Sequence, residues 1–95
     1  MVTLITEYDR AFLIHAFREA AAAALADDGT NTLAIRLPSL RAEFVEECAA
    51  EAGVRVSLFA FHGRRWFLVH VHGAEAACRR LKKLGLQATV YRQAD

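Results

Sequence analysis

The stretch that decides the fold is Ser57-Leu58-Phe59-Ala60-Phe61-His62-Gly63-Arg64-Arg65-Trp66-Phe67-Leu68-Val69-His70-Val71. Two apolar, aromatic-rich runs flank a short turn at His62-Gly63-Arg64. Glycine in such a position supplies the positive φ that tight hairpin turns require, so the spacing predicts a β-hairpin with strands over Val54–Phe61 and Trp66–His72. Side chains alternate faces along a strand. Val54, Val56, Leu58 and Ala60, with Phe67, Val69 and Val71, form the aliphatic set suited to a core. Arg55, Ser57, Phe59, Phe61, Trp66, Leu68, His70 and His72 fall on the other face.

Outward from the hairpin, punctuation by glycine and proline divides the chain into periodic segments. Upstream, Thr32–Leu37 reads as a strand with Leu33, Ile35 and Leu37 inward and Ala34 and Arg36 outward. Pro38-Ser39 ends it, with Ser39 as the expected N-cap of a helix running to about Ala52 and stopped by Gly53. Downstream, Ala74–Leu84 reads as a helix with Ala77, Cys78, Leu81 and Leu84 inward, and Gly85 closes it. Leu86–Arg92 is the last strand, with Ala88 and Val90 inward and Thr89 and Tyr91 outward.

From residue 32 the order is therefore β-α-β-β-α-β. This is an α+β arrangement of ferredoxin-like topology, an antiparallel sheet with two helices on one face. The chain of 95 residues forms one domain, with an arm and helix over 1–31 and the βαββαβ unit over 32–95. The outer sheet face, holding Ala34, Arg36, Arg55, Phe59, Phe61, Trp66, Leu68, His70, His72 and Tyr91, is too aromatic to stand bare in water.

The N-terminal segment is the expected cover. Val2–Ile5 reads as a short strand or arm. Thr6-Glu7-Tyr8-Asp9 has capping-box form, so a helix is expected over about Glu7–Ala26, ended by Gly29. Its apolar residues, Phe12, Leu13, Ala16, Phe17, Ala20, Ala24 and Leu25, spread around much of the girth. A helix of that kind is buried on more than one side. Phe12 and Phe17 are accordingly expected to contact either a partner or the open sheet.

Composition narrows the function classes. The hydrophobic fraction is 55% and net charge is +1. The charge is uneven: residues 1–52 carry −5 and residues 53–95 carry +6. Such a split suits head-to-tail association or an anionic partner. No run of about 18 apolar residues exists, so no membrane contact is expected. The opening MVTLITEYDR lacks the basic and small-residue features of a secretory signal, and Cys48 and Cys78 show no CxxC spacing. A cytoplasmic chain with reduced thiols follows. His70-x-His72 places two imidazoles on one strand face, with His62 or His15 as further candidate ligands, but that face offers no carboxylate or thiol, so no metal and no other cofactor is expected. Neither cysteine faces a histidine, and no glycine-rich phosphate loop is present. The chain is expected not to be an enzyme.

Residues 32–92 resemble an RNA recognition motif domain in order and spacing. Arg64-Arg65-Trp66-Phe67-Leu68-Val69-His70-Val71 stands where that family carries its octapeptide, and Arg64, Trp66 and Val69 match in character. Ala34 stands where the first strand carries an aromatic residue, so Trp66 alone carries over from the stacking platform. The resemblance implies RNA or single-stranded nucleic-acid binding through Trp66, Arg36, Arg55, Arg64 and Arg65, extended by the basic stripe of Arg79, Arg80 and Lys83. The same residues also resemble an ACT-type regulatory domain. Leu37-Pro38-Ser39-Leu40 stands at that family's turn into a helix, and Glu51-Ala52-Gly53-Val54 at its helix-to-strand junction. That resemblance implies a small-ligand sensor. The expected function is a non-enzymatic protein–protein interaction or regulatory module acting as a homodimer. Its expected partner contacts are Phe59, Phe61, Trp66, Leu68, His70, Tyr91, Phe12 and Phe17, with nucleic acid and a small ligand as alternatives.

Overall fold

The computed structural model describes residues 9–26 and 32–91. Three helices and four strands follow in the order α1 (Arg10–Leu25), β1 (Thr32–Arg36), α2 (Ala42–Glu51), β2 (Arg55–Phe61), β3 (Arg64–His70), α3 (Ala74–Lys83) and β4 (Gln87–Tyr91). The strands form one antiparallel sheet in the order β2-β3-β1-β4. This is a mixed α+β domain, compatible at the level of topology with the ferredoxin-like arrangement expected from the sequence.

The hairpin closes through His62 and Gly63, whose φ values of 53° and 72° make a two-residue turn of type I′. That turn is tighter than the expected three residues. Arg64 therefore pairs with Phe61 as the first residue of β3, and the strand runs to His70. Register then places Phe59 opposite Trp66, Leu58 opposite Phe67 and Val56 opposite Val69.

The core lies on one face of this sheet. Leu33, Ile35, Phe67, Val69 and Ala88 point into it from the strands and join Val45, Cys48 and Ala49 of α2 and Ala77, Cys78 and Leu81 of α3. Leu13, Ala16, Phe17, Ala20 and Ala24 of α1 belong to the same cluster. Helix α1 packs along α3 and against α2, and among the described residues α2 and α3 do not approach each other. The N-terminal helix thus bridges the other two on the core side. It does not lie over the opposite sheet face, contrary to the expectation that it would cover it.

Several expected boundaries shift for local reasons. Helix α1 starts at Arg10 because the Asp9 carboxylate accepts from the Phe12 backbone N–H at 2.8 Å. That bond satisfies one of the orphan donors of the first turn. Thr6 and Gly29, the expected cap residues, and the Val2–Ile5 arm lie outside the described residues. Helix α2 starts at Ala42, with Arg41 at the N-cap and no side-chain cap. Ser39 instead sits in the preceding turn. Leu25, expected among the buried residues of α1, is 88% exposed at the helix end.

Ion pairs tie α1 to its two neighbours. Arg10 bonds to Glu51 and lies 3.8 Å from Glu47 on α2, and Arg80 of α3 bonds to Glu19. All these groups are partly solvated, so each pair contributes at most about 1 kcal/mol. The apolar cluster, not the charges, holds α1 in place.

Candidate functional site

With α1 on the core side, the second sheet face carries no covering element among the described residues. Its rows follow from register. Phe61 lies beside Arg64 at the turn. Phe59 lies beside Trp66 in the next row. Then come Ser57, Leu68, Ala34 and Thr89, paired in succession across all four strands. Arg55 lies beside His70 at the far end of the hairpin. Tyr91 holds the register position opposite Thr32.

A cleft of ≈ 390 Å³ opens on this face, lined by Ala34, Phe59, Phe61, Trp66, Gln87, Ala88 and Thr89. Ala34 is its floor, 1% exposed although it points away from the core, because the longer side chains around it close over it. Phe61 is 54% exposed at the rim, while Phe59, Trp66 and Leu68 are half-buried. The Phe59 and Phe61 rings lie 6.5 Å apart at 41°, and Phe61 meets the His62 ring edge-on at 4.2 Å. These contacts hold the hairpin's aromatic side chains as a partly ordered wall.

Arg36 reaches across this wall. Its guanidinium carbon stands 5.7 Å from the Trp66 ring centroid, and one terminal N–H donates to the Arg65 carbonyl at 3.0 Å. Its Nε is buried and makes no hydrogen bond. Trp66 therefore presents a ring against which a cation already rests. At the far end the Ser57 hydroxyl and His70 Nε2 are 2.8 Å apart and share a hydrogen bond.

The expected sites separate on the molecule. Phe59, Phe61, Trp66, Leu68 and His70 come together on the open face as expected. Phe12 and Phe17 do not join them: Phe17 is 1% exposed in the core and Phe12 packs against that core, so their apolar surface serves the chain's own helix layer. The basic set divides as well. Arg36, Arg55 and Arg64 lie on the open face. Arg79, Arg80 and Lys83 sit on α3, behind the sheet, with Arg80 engaged by Glu19.

Arg65 is the clearest departure. It points to the core side, where its guanidinium donates to the carbonyls of Leu37, Pro38 and Leu40. The guanidinium also lies 5.5 Å from the Phe67 ring centroid. It closes the turn into α2, where Ser39 provides no cap. All three contacts come from its Nη2 nitrogen, whose two N–H groups are shared among the three carbonyls. Arg65 is a structural clamp, and the octapeptide resemblance gave no sign of it. Gln87 is the cleft residue that sequence reasoning passed over; extending the β4 alternation back from Thr89 identifies it.

No group of three or more His, Cys, Asp or Glu side chains placed to hold a metal occurs among the described residues. His72 lies beyond the end of β3, and His15 is on α1. Burial pushes the thiols of Cys48 and Cys78 up from their ordinary range, and both are enclosed in the core. Among the described residues no helix is long and apolar enough to cross a membrane. No protein-family description, no curated protein and no solved structure matches this chain.

Proposed function

We propose that the chain is a non-enzymatic protein–protein interaction or regulatory module of ferredoxin-like fold, working as a homodimer, whose open sheet face docks a protein partner. One observation carries this. Among the described residues no helix packs on the sheet face that bears Phe59, Phe61, Trp66 and Leu68 around an apolar cleft, because α1, α2 and α3 all lie on the other side. Surfaces of that character mark interaction sites in folded chains. The aromatic residues also have the rigidity and area that binding energy concentrates on.

Site-specific photo-cross-linking tests the reading. A photo-reactive aromatic residue at position 66, mid-sheet, is expected to trap a protein adduct in cells, whereas the same group at position 79 on α3 traps none. Equal trapping at both positions, or none at 66, sinks it.

A second reading has its own support. Among the described residues the open face carries Arg36, Arg55 and Arg64 and no carboxylate. Cationic aromatic surfaces of this kind suit single-stranded nucleic acid. Binding would then weaken steeply with salt and lose about 1–3 kcal/mol on Trp66→Ala. An anisotropy titration without a salt slope excludes it. A small-ligand sensor is the third reading, and thermal shifts across an amino-acid panel test it.

A further inference from the structure

We infer that two copies of the chain pair antiparallel along their β2 edges, about a two-fold axis at Leu58, joining two four-stranded sheets into one. This rests on the homodimer part of the function proposed above and names its surface. β2 is an outer strand of the sheet, with β3 as its neighbour among the described residues. Exposed edges usually carry lysine, proline, a bulge or an inward charge that prevents pairing with another chain. Arg55-Val56-Ser57-Leu58-Phe59-Ala60-Phe61 has none of these; its one charge stands at the end. The strand is also apolar and accessible on both faces. Leu58 is 47% exposed although its register partner Phe67 is fully buried, and Ala60 beside it is exposed on the same side. The helix layer stops short of this edge, leaving aliphatic surface that a continued sheet would bury.

The backbone phase agrees. The two-residue turn makes Phe61 and Arg64 a hydrogen-bonded pair, and bonded and non-bonded pairs alternate along an antiparallel ladder. Val56, Leu58 and Ala60 thereby turn their N–H and C=O groups to the outer edge, which no other described strand occupies. An axis at Leu58 sets Leu58 against its own copy and Val56 against Ala60, matching outward donors with outward acceptors. On the open face the same register sets Arg55 of one copy against Phe61 of the other, a cation–π pairing, and Ser57 against Phe59. The two Arg55 side chains end about 20 Å apart. A two-fold contact of this kind closes on itself and leaves no edge for further addition at the seam. Stacking the two open faces instead would bring together two surfaces that each carry Arg36, Arg55 and Arg64, with no carboxylate on either among the described residues. Edge pairing leaves the Trp66 cleft free for the partner.

Sedimentation equilibrium and oxidative cross-linking of the full chain test this. The wild type is expected to dimerise reversibly. Leu58→Lys opposes two ammonium groups at the axis and should weaken dimerisation by about a hundredfold or more. Trp66→Ser should leave it unchanged. Leu58→Cys is expected to form a covalent dimer on mild oxidation, since directly opposed residues of a bonded pair have Cα atoms about 5.5 Å apart, within disulfide reach. The wild type, with Cys48 and Cys78 buried, should not. A dimer that survives Leu58→Lys but is lost in Trp66→Ser overturns the edge and points to the sheet face. A strictly monomeric wild type also overturns it, including one whose Val56, Leu58 and Ala60 amides resist hydrogen exchange because another strand occupies the edge. That outcome also removes the homodimer part of the proposed function, and leaves the docking of a protein partner on the open face, which mid-sheet cross-linking tests, standing.

Discussion

Phe17 decides whether α1 is part of this domain's core or an arm held ready for a partner. The side chain is 1% exposed and sits with Leu13 and Ala20 where α1 bridges α2 and α3. Truncating a fully buried phenylalanine removes its transfer free energy and leaves a cavity, together costing about 3–5 kcal/mol. A domain of this length has about 5–14 kcal/mol of total stability. Phe17→Ala is therefore expected to consume a large fraction of it and to lower Tm by about 12–40 °C. Urea unfolding followed by circular dichroism, at one fixed protein concentration, reads the effect as a lower midpoint with an unchanged slope. Leu25→Ala on the same helix is the control, because Leu25 is 88% exposed. It should change stability by no more than about 0.5 kcal/mol. A Phe17→Ala protein within about 1 kcal/mol of wild type would refute the placement of α1, as would a larger loss in Leu25→Ala.

Three further outcomes follow from particular side chains. Arg65→Ala should destabilise by about 1.5–3 kcal/mol through the lost bonds to the carbonyls of Leu37, Pro38 and Leu40; an unchanged urea midpoint would contradict the clamp. Gly63→Ala should cost about 1–2 kcal/mol from its φ of 72° alone, since a Cβ there meets nothing within 4 Å; no change in urea midpoint would contradict the I′ turn. Cys48 and Cys78 should react slowly with iodoacetamide near neutral pH, because burial holds both thiols protonated, and labelling as fast as in the unfolded chain would contradict their enclosure. As acids whose folded pKa is raised, they favour the native state through neutral pH, and that contribution is lost as pH rises above the ordinary thiol value of 9.0.

Local chemistry made most of the sheet legible. Period-two alternation in Leu33-Ala34-Ile35-Arg36 and in Trp66-Phe67-Leu68-Val69 assigns each side chain to a face, because the pleat leaves no other choice. His62-Gly63 announces the hairpin for a similar reason, since its backbone conformation is one that few residues tolerate. The same alternation collects Phe59, Phe61, Trp66 and Leu68 on one surface. Leu58 shows the limit of this signal. It has the correct parity for the core and is nonetheless half in water, because parity fixes a face and not how far the neighbouring layer extends.

What tertiary structure alone decided was where α1 lies and what the arginines do. A helix apolar around much of its girth carries no direction in its pattern, so Phe12 and Phe17 fit the open sheet, a partner or the gap between two helices equally well. The gap won, because α2 and α3 stand apart and their facing apolar sides need a third helix to exclude water. Arg64 and Arg65 are adjacent and identical in type, yet strand alternation sends one to the open face and the other to a turn whose Leu37, Pro38 and Leu40 carbonyls accept from it. Sequence determines the parity of such residues through the pleat. Only the folded chain, by bringing Leu37, Pro38 and Leu40 within reach of the Arg65 guanidinium, determines that it is a clamp and that Arg36, Arg55 and Arg64 are the cations left beside the cleft.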